Sequence, residues 1–125
     1  MATEFLTYDN FIDTLETNDI LLIDFYADWC GPCKMFGPIF ERTSEKYPDI
    51  KFAKVDTEAE QQLAAEFGVR SIPSLAVFRE KVLVFMQPGA LPEEALVDII
   101  DQVKGLDMEE VHKEIAEQKS NSSAA

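Results

Sequence analysis

The sequence predicts an α/β fold, a central mixed sheet of about five strands flanked by four helices, with a short helical extension at its C-terminal end. Three observations point to it. Apolar runs of strand length alternate with stretches of helical periodicity through the first half. Two apolar runs in the second half are joined by only Arg79, Glu80 and Lys81, which makes the last two strands an antiparallel hairpin. A helix with clear start and stop signals then closes the sheet.

A short strand around Glu4 to Leu6 comes first. Tyr8, Phe11, Ile12 and Leu15 then recur at helical spacing, with Thr7 or Asp9 as the cap, until Asn18 and Asp19 end the pattern. Ile20 to Ala27 is nearly unbroken apolar sequence, as expected of a central strand covered on both faces, and Asp24 alone interrupts it. A second helix is expected from about Pro32 to Tyr47, kinked where Pro38 lies inside it. Lys51 to Asp56 reads as the next strand. Thr57 and Glu60 have the spacing of a capping box, opening a short helix that turns Leu63, Ala64 and Phe67 inward and stops at Gly68.

Ser74 to Phe78 and Val82 to Phe85 are the hairpin strands. The fourth helix starts at Pro92, carries Glu93 and Glu94 in its first turn, keeps Leu96, Ile99, Ile100 and Val103 in register, and ends at Gly105. Asp107 and Glu110 form a second capping-box pattern before a short polar helix carrying Met108, Val111 and Ile115, followed by a small, polar stretch from Ser120 to Ala125. Residues 1–105 are thus expected to form the domain, and 106–125 a solvated or loosely packed polar helix and flexible tail.

A chain of 125 residues, 46% of them hydrophobic, suits one domain with a real core. The formal charge of -13 repels phosphate backbones and anionic lipid headgroups, so neither nucleic acid nor membrane is an expected partner. Met1 to Asn10 lacks a basic cluster followed by an apolar run, and no apolar stretch approaches membrane-spanning length, so a cytoplasmic protein is expected. Two cysteines only two residues apart cannot staple distant segments, which leaves sulfur a chemical role.

That role is set by Trp29-Cys30-Gly31-Pro32-Cys33, at the end of the central strand and the start of the second helix. Pro32 is tolerated only near a helix start, which puts Cys30 at the cap, where unpaired N–H groups and the helix dipole favour a thiolate. Cys30 is therefore expected to be the attacking sulfur. Cys33, three positions on, shares its helical face and can resolve the mixed disulfide that Cys30 forms. Gly31 and Pro32 add no charge or donor to stabilise the thiolate further, which favours a reductant over an oxidant. Zinc would need two more ligands, whereas the chain has no other cysteine and a single histidine, His112, in the extension.

Asp24 lies six positions before Cys30 with Leu22 and Tyr26 on its own face of the strand. Burial raises a carboxyl's pKa, fitting Asp24 to take and return the Cys33 proton. Lys54 lies on the neighbouring strand, within approach of Asp24. Lys34, four residues after Cys30, reads as a surface residue, Pro73 marks a constraint ahead of its strand, and Trp29 is a candidate substrate contact.

Asp24-Phe25-Tyr26-Ala27-Asp28-Trp29-Cys30-Gly31-Pro32-Cys33-Lys34 resembles the active-site signature of the thioredoxin family. The likeness runs from about Thr3 to Lys104, through Pro38, Lys54, Val69-Arg70-Ser71-Ile72-Pro73 and Pro88-Gly89-Ala90-Leu91. It implies the thioredoxin fold, a cis Pro73 packed against the dithiol, and a shallow substrate groove formed with Trp29, Gly31, Pro32, Ile72 and Gly89. It also implies proton transfer by Asp24 assisted by Lys54. The implied activity is reduction of protein disulfides by a monomeric chain without bound cofactor or metal, fed with NADPH electrons by a thioredoxin reductase. An oxidase or isomerase, or a docking module using the same surface, are the alternatives. The chain departs from the family where Tyr26 stands in place of a common tryptophan, where Glu80-Lys81 replaces a glycine turn, and where Pro88 precedes Gly89.

Overall fold

Strand parity organises the molecule. In the computed structural model, which describes residues 2–124, the central strand β2 (Ile20–Tyr26) turns Leu21, Ile23 and Phe25 to one face of the sheet and Ile20, Leu22 and Asp24 to the other. The other strands are β1 (Thr3–Phe5), β3 (Lys51–Asp56), β4 (Ser74–Arg79) and β5 (Val82–Pro88), in the spatial order β1-β3-β2-β4-β5. β1, β3 and β2 run parallel, whereas β4 and β5 are antiparallel to their neighbours, as expected for an α/β sheet ending in a hairpin.

Helices cover both faces. α2 (Gly31–Ser44) and α4 (Glu93–Lys104) lie on one side, where Phe36, Phe40, Leu96 and Ile100 pack on Leu22, Phe52, Leu75 and Val77. α1 (Phe11–Thr17) and α3 (Gln61–Glu66) lie on the other, where Phe11, Leu15, Leu63 and Phe67 pack on Leu21, Ile23, Phe25 and Val55. Phe40 stacks obliquely on Phe36 and edge-on to Phe52, with ring centroids 5.8 and 5.2 Å away.

Local chemistry moves several boundaries. α1 starts at Phe11 and not at Tyr8, because Thr7 and Asn10 exchange side-chain hydrogen bonds with each other's backbone N–H at 2.8 and 3.2 Å and close a turn first. The Thr57–Glu60 capping box does not form. Asp56 instead accepts from the N–H groups of Glu58 and Ala59, while the Glu60 carboxylate accepts from Tyr8 N–H at 2.9 Å. α2 stops at Ser44, with single turns to Tyr47 before Pro48. Glu80 and Lys81 turn the hairpin at φ 50° and 68°, a conformation that glycine adopts more readily.

The extension is a single helix, exposed along most of its described length apart from Met108, Val111 and Ile115. α5 (Met108–Ala124) continues through Ser120 without a break. The junction before it is tied to the sheet: Arg79 Nη1 donates to the carbonyls of Val103, Lys104 and Leu106 at 2.8, 3.1 and 2.9 Å, satisfying the end of α4. Asp107 accepts from Glu110 N–H at 3.2 Å, Met108 is buried, and His112 Nε2 lies 2.9 Å from Glu80 Oε1. Val111 and Ile115 face Val82, Leu83 and Val84 across a cavity of about 260 Å³. No helix among the described residues is long and apolar enough to cross a membrane.

Candidate active site

β2 ends at Tyr26 and the chain turns straight into α2, which begins at Gly31 with Cys30 as its cap. Cys30 takes extended backbone angles (φ -85°, ψ 114°), and its Sγ accepts a hydrogen bond from Cys33 N–H at 3.2 Å. A donor that would otherwise be orphaned at the helix start is thereby turned onto sulfur, where it stabilises negative charge. Pro32 sits in the first turn, where its missing N–H costs nothing. Cys30 and Cys33 are joined as a disulfide with 5.2 Å between their Cα atoms, the ordinary range for such a link.

Burial does not separate the two sulfurs, since both cysteines are 5% exposed. Their surroundings do. Cys30 Sγ lies 3.6 Å from the Ile72 carbonyl oxygen, in the loop that precedes β4, and the Ile72–Pro73 peptide bond is cis. Gly89, at φ +104°, donates its N–H to the Pro73 carbonyl at 2.7 Å, tying the end of β5 to that loop. Ile72, Pro73 and Gly89 are thus gathered beside Cys30. Gly31 and Pro32 are exposed on its other side, and Trp29 is 69% exposed with its Nε1 donating to Glu58 at 2.6 Å. Between Trp29 and Ile72 lies a depression of about 330 Å³.

Cys33 faces the opposite way, into a cavity of about 470 Å³ shared with Tyr26, Asp28, Lys34, Gly37, Glu41 and Lys54. Asp24 lies beneath it on the same sheet face by strand parity, only 1% exposed. Neither carboxylate oxygen has a hydrogen-bond partner among the described residues. Burial pushes the Asp24 pKa up from 3.8 to about 7, against the opposing pull of Lys54. Lys54 is the direct register partner of Asp24 on β3, yet the two form no ion pair; the ammonium lies 4.6 Å over the Tyr26 ring.

The sulfur, proton-transfer and groove residues singled out from the sequence therefore all flank one end of the sheet. Two participants were missed. Gly37 lines the Cys33 cavity beside Lys54, where a built Cβ would make an ordinary contact with Nζ at 3.8 Å. A glycine inside a helix was the available signal, because it costs roughly 1 kcal/mol relative to alanine. Glu58 holds the Trp29 indole, and no local pattern marks it, because the loops after β2 and β3 meet only through parallel pairing.

Comparison with known proteins agrees with this geometry. Residues 2–102 match the family model described as Thioredoxin. A Streptomyces coelicolor protein assigned as a thioredoxin 2 is 56% identical over 119 residues, covering 95% of this chain and 89% of that one. A mutant thioredoxin of Halobacterium salinarum superposes with a TM-score of 0.77 at 37% identity, covering 83% of this chain and 92% of that one. A chain in the crystal structure of a ferredoxin:thioredoxin reductase and thioredoxin f2 complex gives 0.77 at 30% identity, covering 83% and 96%. With its sheet order, its capped Cys30–Cys33 pair and these likenesses, the chain belongs to the thioredoxin family of thiol-disulfide oxidoreductases.

Proposed function

We propose that this thiol-disulfide oxidoreductase is a reductant of protein disulfides, with Cys30 attacking and Cys33 resolving. The observation that carries the assignment of roles is the hydrogen bond from Cys33 N–H to Cys30 Sγ at the start of α2. In the reduced protein that donor and the helix dipole favour the Cys30 thiolate. The thiolate attacks one sulfur of a substrate disulfide, forming a mixed disulfide and expelling the first substrate thiolate. Cys33 then gives its proton to the Asp24 carboxylate and attacks Cys30 Sγ. The second substrate thiolate leaves, and the Cys30–Cys33 disulfide remains. Two electrons pass from the dithiol to the substrate, and both substrate sulfurs end as thiols.

Asp24 suits the second step because its pKa of about 7 lets it exchange a proton near neutrality. Lys54 stands at the solvent side of the Cys33 cavity and assists by field. Trp29, Gly31, Pro32, Ile72, Pro73 and Gly89 form the groove in which an extended substrate segment lies against Cys30. A thioredoxin reductase drawing on NADPH regenerates the dithiol of a monomeric, cytoplasmic chain that holds no cofactor of its own.

The test is reduction of insulin with NADPH and a thioredoxin reductase, together with trapping in Cys33→Ser. We expect turnover by the wild-type chain and substrates held covalently on Cys30. Substrates captured only by Cys33 in the Cys30→Ser variant would reverse the assignment. Oxidation of a dithiol substrate without reduction of insulin would make the protein an oxidase.

A further inference from the structure

Lys54 does not take the partner that its strand register offers. Parallel pairing sets Asp24 and Lys54 directly opposite each other, on the same face of the sheet. A lysine stem reaches an adjacent carboxylate easily from such a position, and Asp24, almost fully buried and without a hydrogen-bond partner among the described residues, would gain most from it. The ammonium nevertheless lies over the face of Tyr26, 4.6 Å from the ring centroid. Gly37 on α2 lines the same Cys33 cavity, and a Cβ built there would meet Nζ at 3.8 Å, an ordinary van der Waals contact. Tyr26 is also one of the positions at which the chain departs from the family pattern.

We propose that Tyr26 is a positioning residue, whose ring holds the Lys54 ammonium beside Gly37 at the mouth of the Cys33 cavity and so keeps it off Asp24. Lys54 is the charged group whose field reaches Asp24, and it pulls the carboxyl toward ionisation. The charges of Asp56, Asp28 and Asp24 act on the Tyr26 hydroxyl, and Lys34 and Glu41 of α2 line the same cavity. With Lys54 parked on the ring, Asp24 retains the proton affinity that burial gives it. Released from the ring, Lys54 closes on Asp24 and favours the carboxylate. The inference takes its functional meaning from the reading of Asp24 as proton carrier, but the placement itself is measured without any turnover.

The experiment follows the Asp24 carboxyl carbon by NMR through a pH titration of the oxidised protein, so that no thiol titrates alongside. In Tyr26→Leu the midpoint falls by about one pH unit, the lower end of the effect of an opposite charge within 4–6 Å. In Tyr26→Phe, which keeps the ring, it stays at the wild-type value. In Tyr26→Leu combined with Lys54→Met it equals that of Lys54→Met alone. An unchanged midpoint in Tyr26→Leu, an equal fall in Tyr26→Phe, or a fall that persists without Lys54 would each overturn the proposal. Should Tyr26→Leu fail to fold, the wild-type protein still decides: ring currents shift the Lys54 ε-methylene protons upfield, and ordinary lysine shifts there refute it. Loss of insulin reduction would bear on the proposed function alone.

Discussion

Removing the charge at Asp24 should stabilise the protein, and only where that charge exists. The carboxyl is buried in the face covered by α2, and its pKa rises from 3.8 to about 7. The folded state therefore holds the proton more tightly than the unfolded chain. Below pH 3.8 both states are protonated and the site carries no penalty. Between pH 3.8 and 7 the unfolded chain ionises first, so stability declines as pH rises, and above about 7 the whole penalty is present. At about 1.4 kcal/mol per tenfold change in proton affinity, the carboxylate costs about 4 kcal/mol at most. A carboxamide cannot ionise, so Asp24→Asn gains that amount at pH 8 and almost none at pH 4. Urea denaturation of the oxidised proteins at pH 4, 6 and 8 measures the gap. A stability difference that stays constant across that range, or one that widens toward acid, would refute the burial argument.

Two further substitutions probe the frame. Phe40→Ala empties the layer between α2 and the sheet, where the ring meets Phe36 and Phe52, and should cost about 3–5 kcal/mol in the same denaturation assay. Arg79→Ala removes the donor shared by three carbonyls at the end of α4, and should cost about 2 kcal/mol. Hydrogen exchange should then quicken from Leu106 into the first turn of α5, with no change at Cys30 to Lys34.

How far the sequence could be read depends on the range of the interaction that decides each feature. Ile20 to Ala27 declared its burial on both faces directly, and parity alone put Asp24 beside the cysteine helix. Pro32 and Cys30 fixed the cap through steric rules confined to a single turn. The start of α1 and the missing box at Glu60 escaped because Asn10 and Asp56 outcompeted better-known capping partners, and the Glu60 carboxylate was drawn to Tyr8 N–H, 52 residues away in sequence. The same limit applies to Lys54. Its strand neighbour was foreseeable from the order of elements, but register alone does not set its choice of an aromatic face over a carboxylate. α5 read as loosely attached because its own residues are mostly polar. The α4–α5 junction ahead of it is held by Arg79, whose only local signal was a charge at a hairpin turn.

The grip of Arg79 on the α4–α5 junction also gives the protein a handle. β2 and β4 are antiparallel, with Phe25 opposite Ser74 and Ile20 opposite Arg79, so the junction sits at the far end of the sheet from the disulfide. α5 meets the hairpin turn at Glu80 and the first residues of β5, at that same far end. A molecule grafted to a bead or electrode through the exposed Lys113 would hang by its tail end, with its sulfurs turned toward the solution.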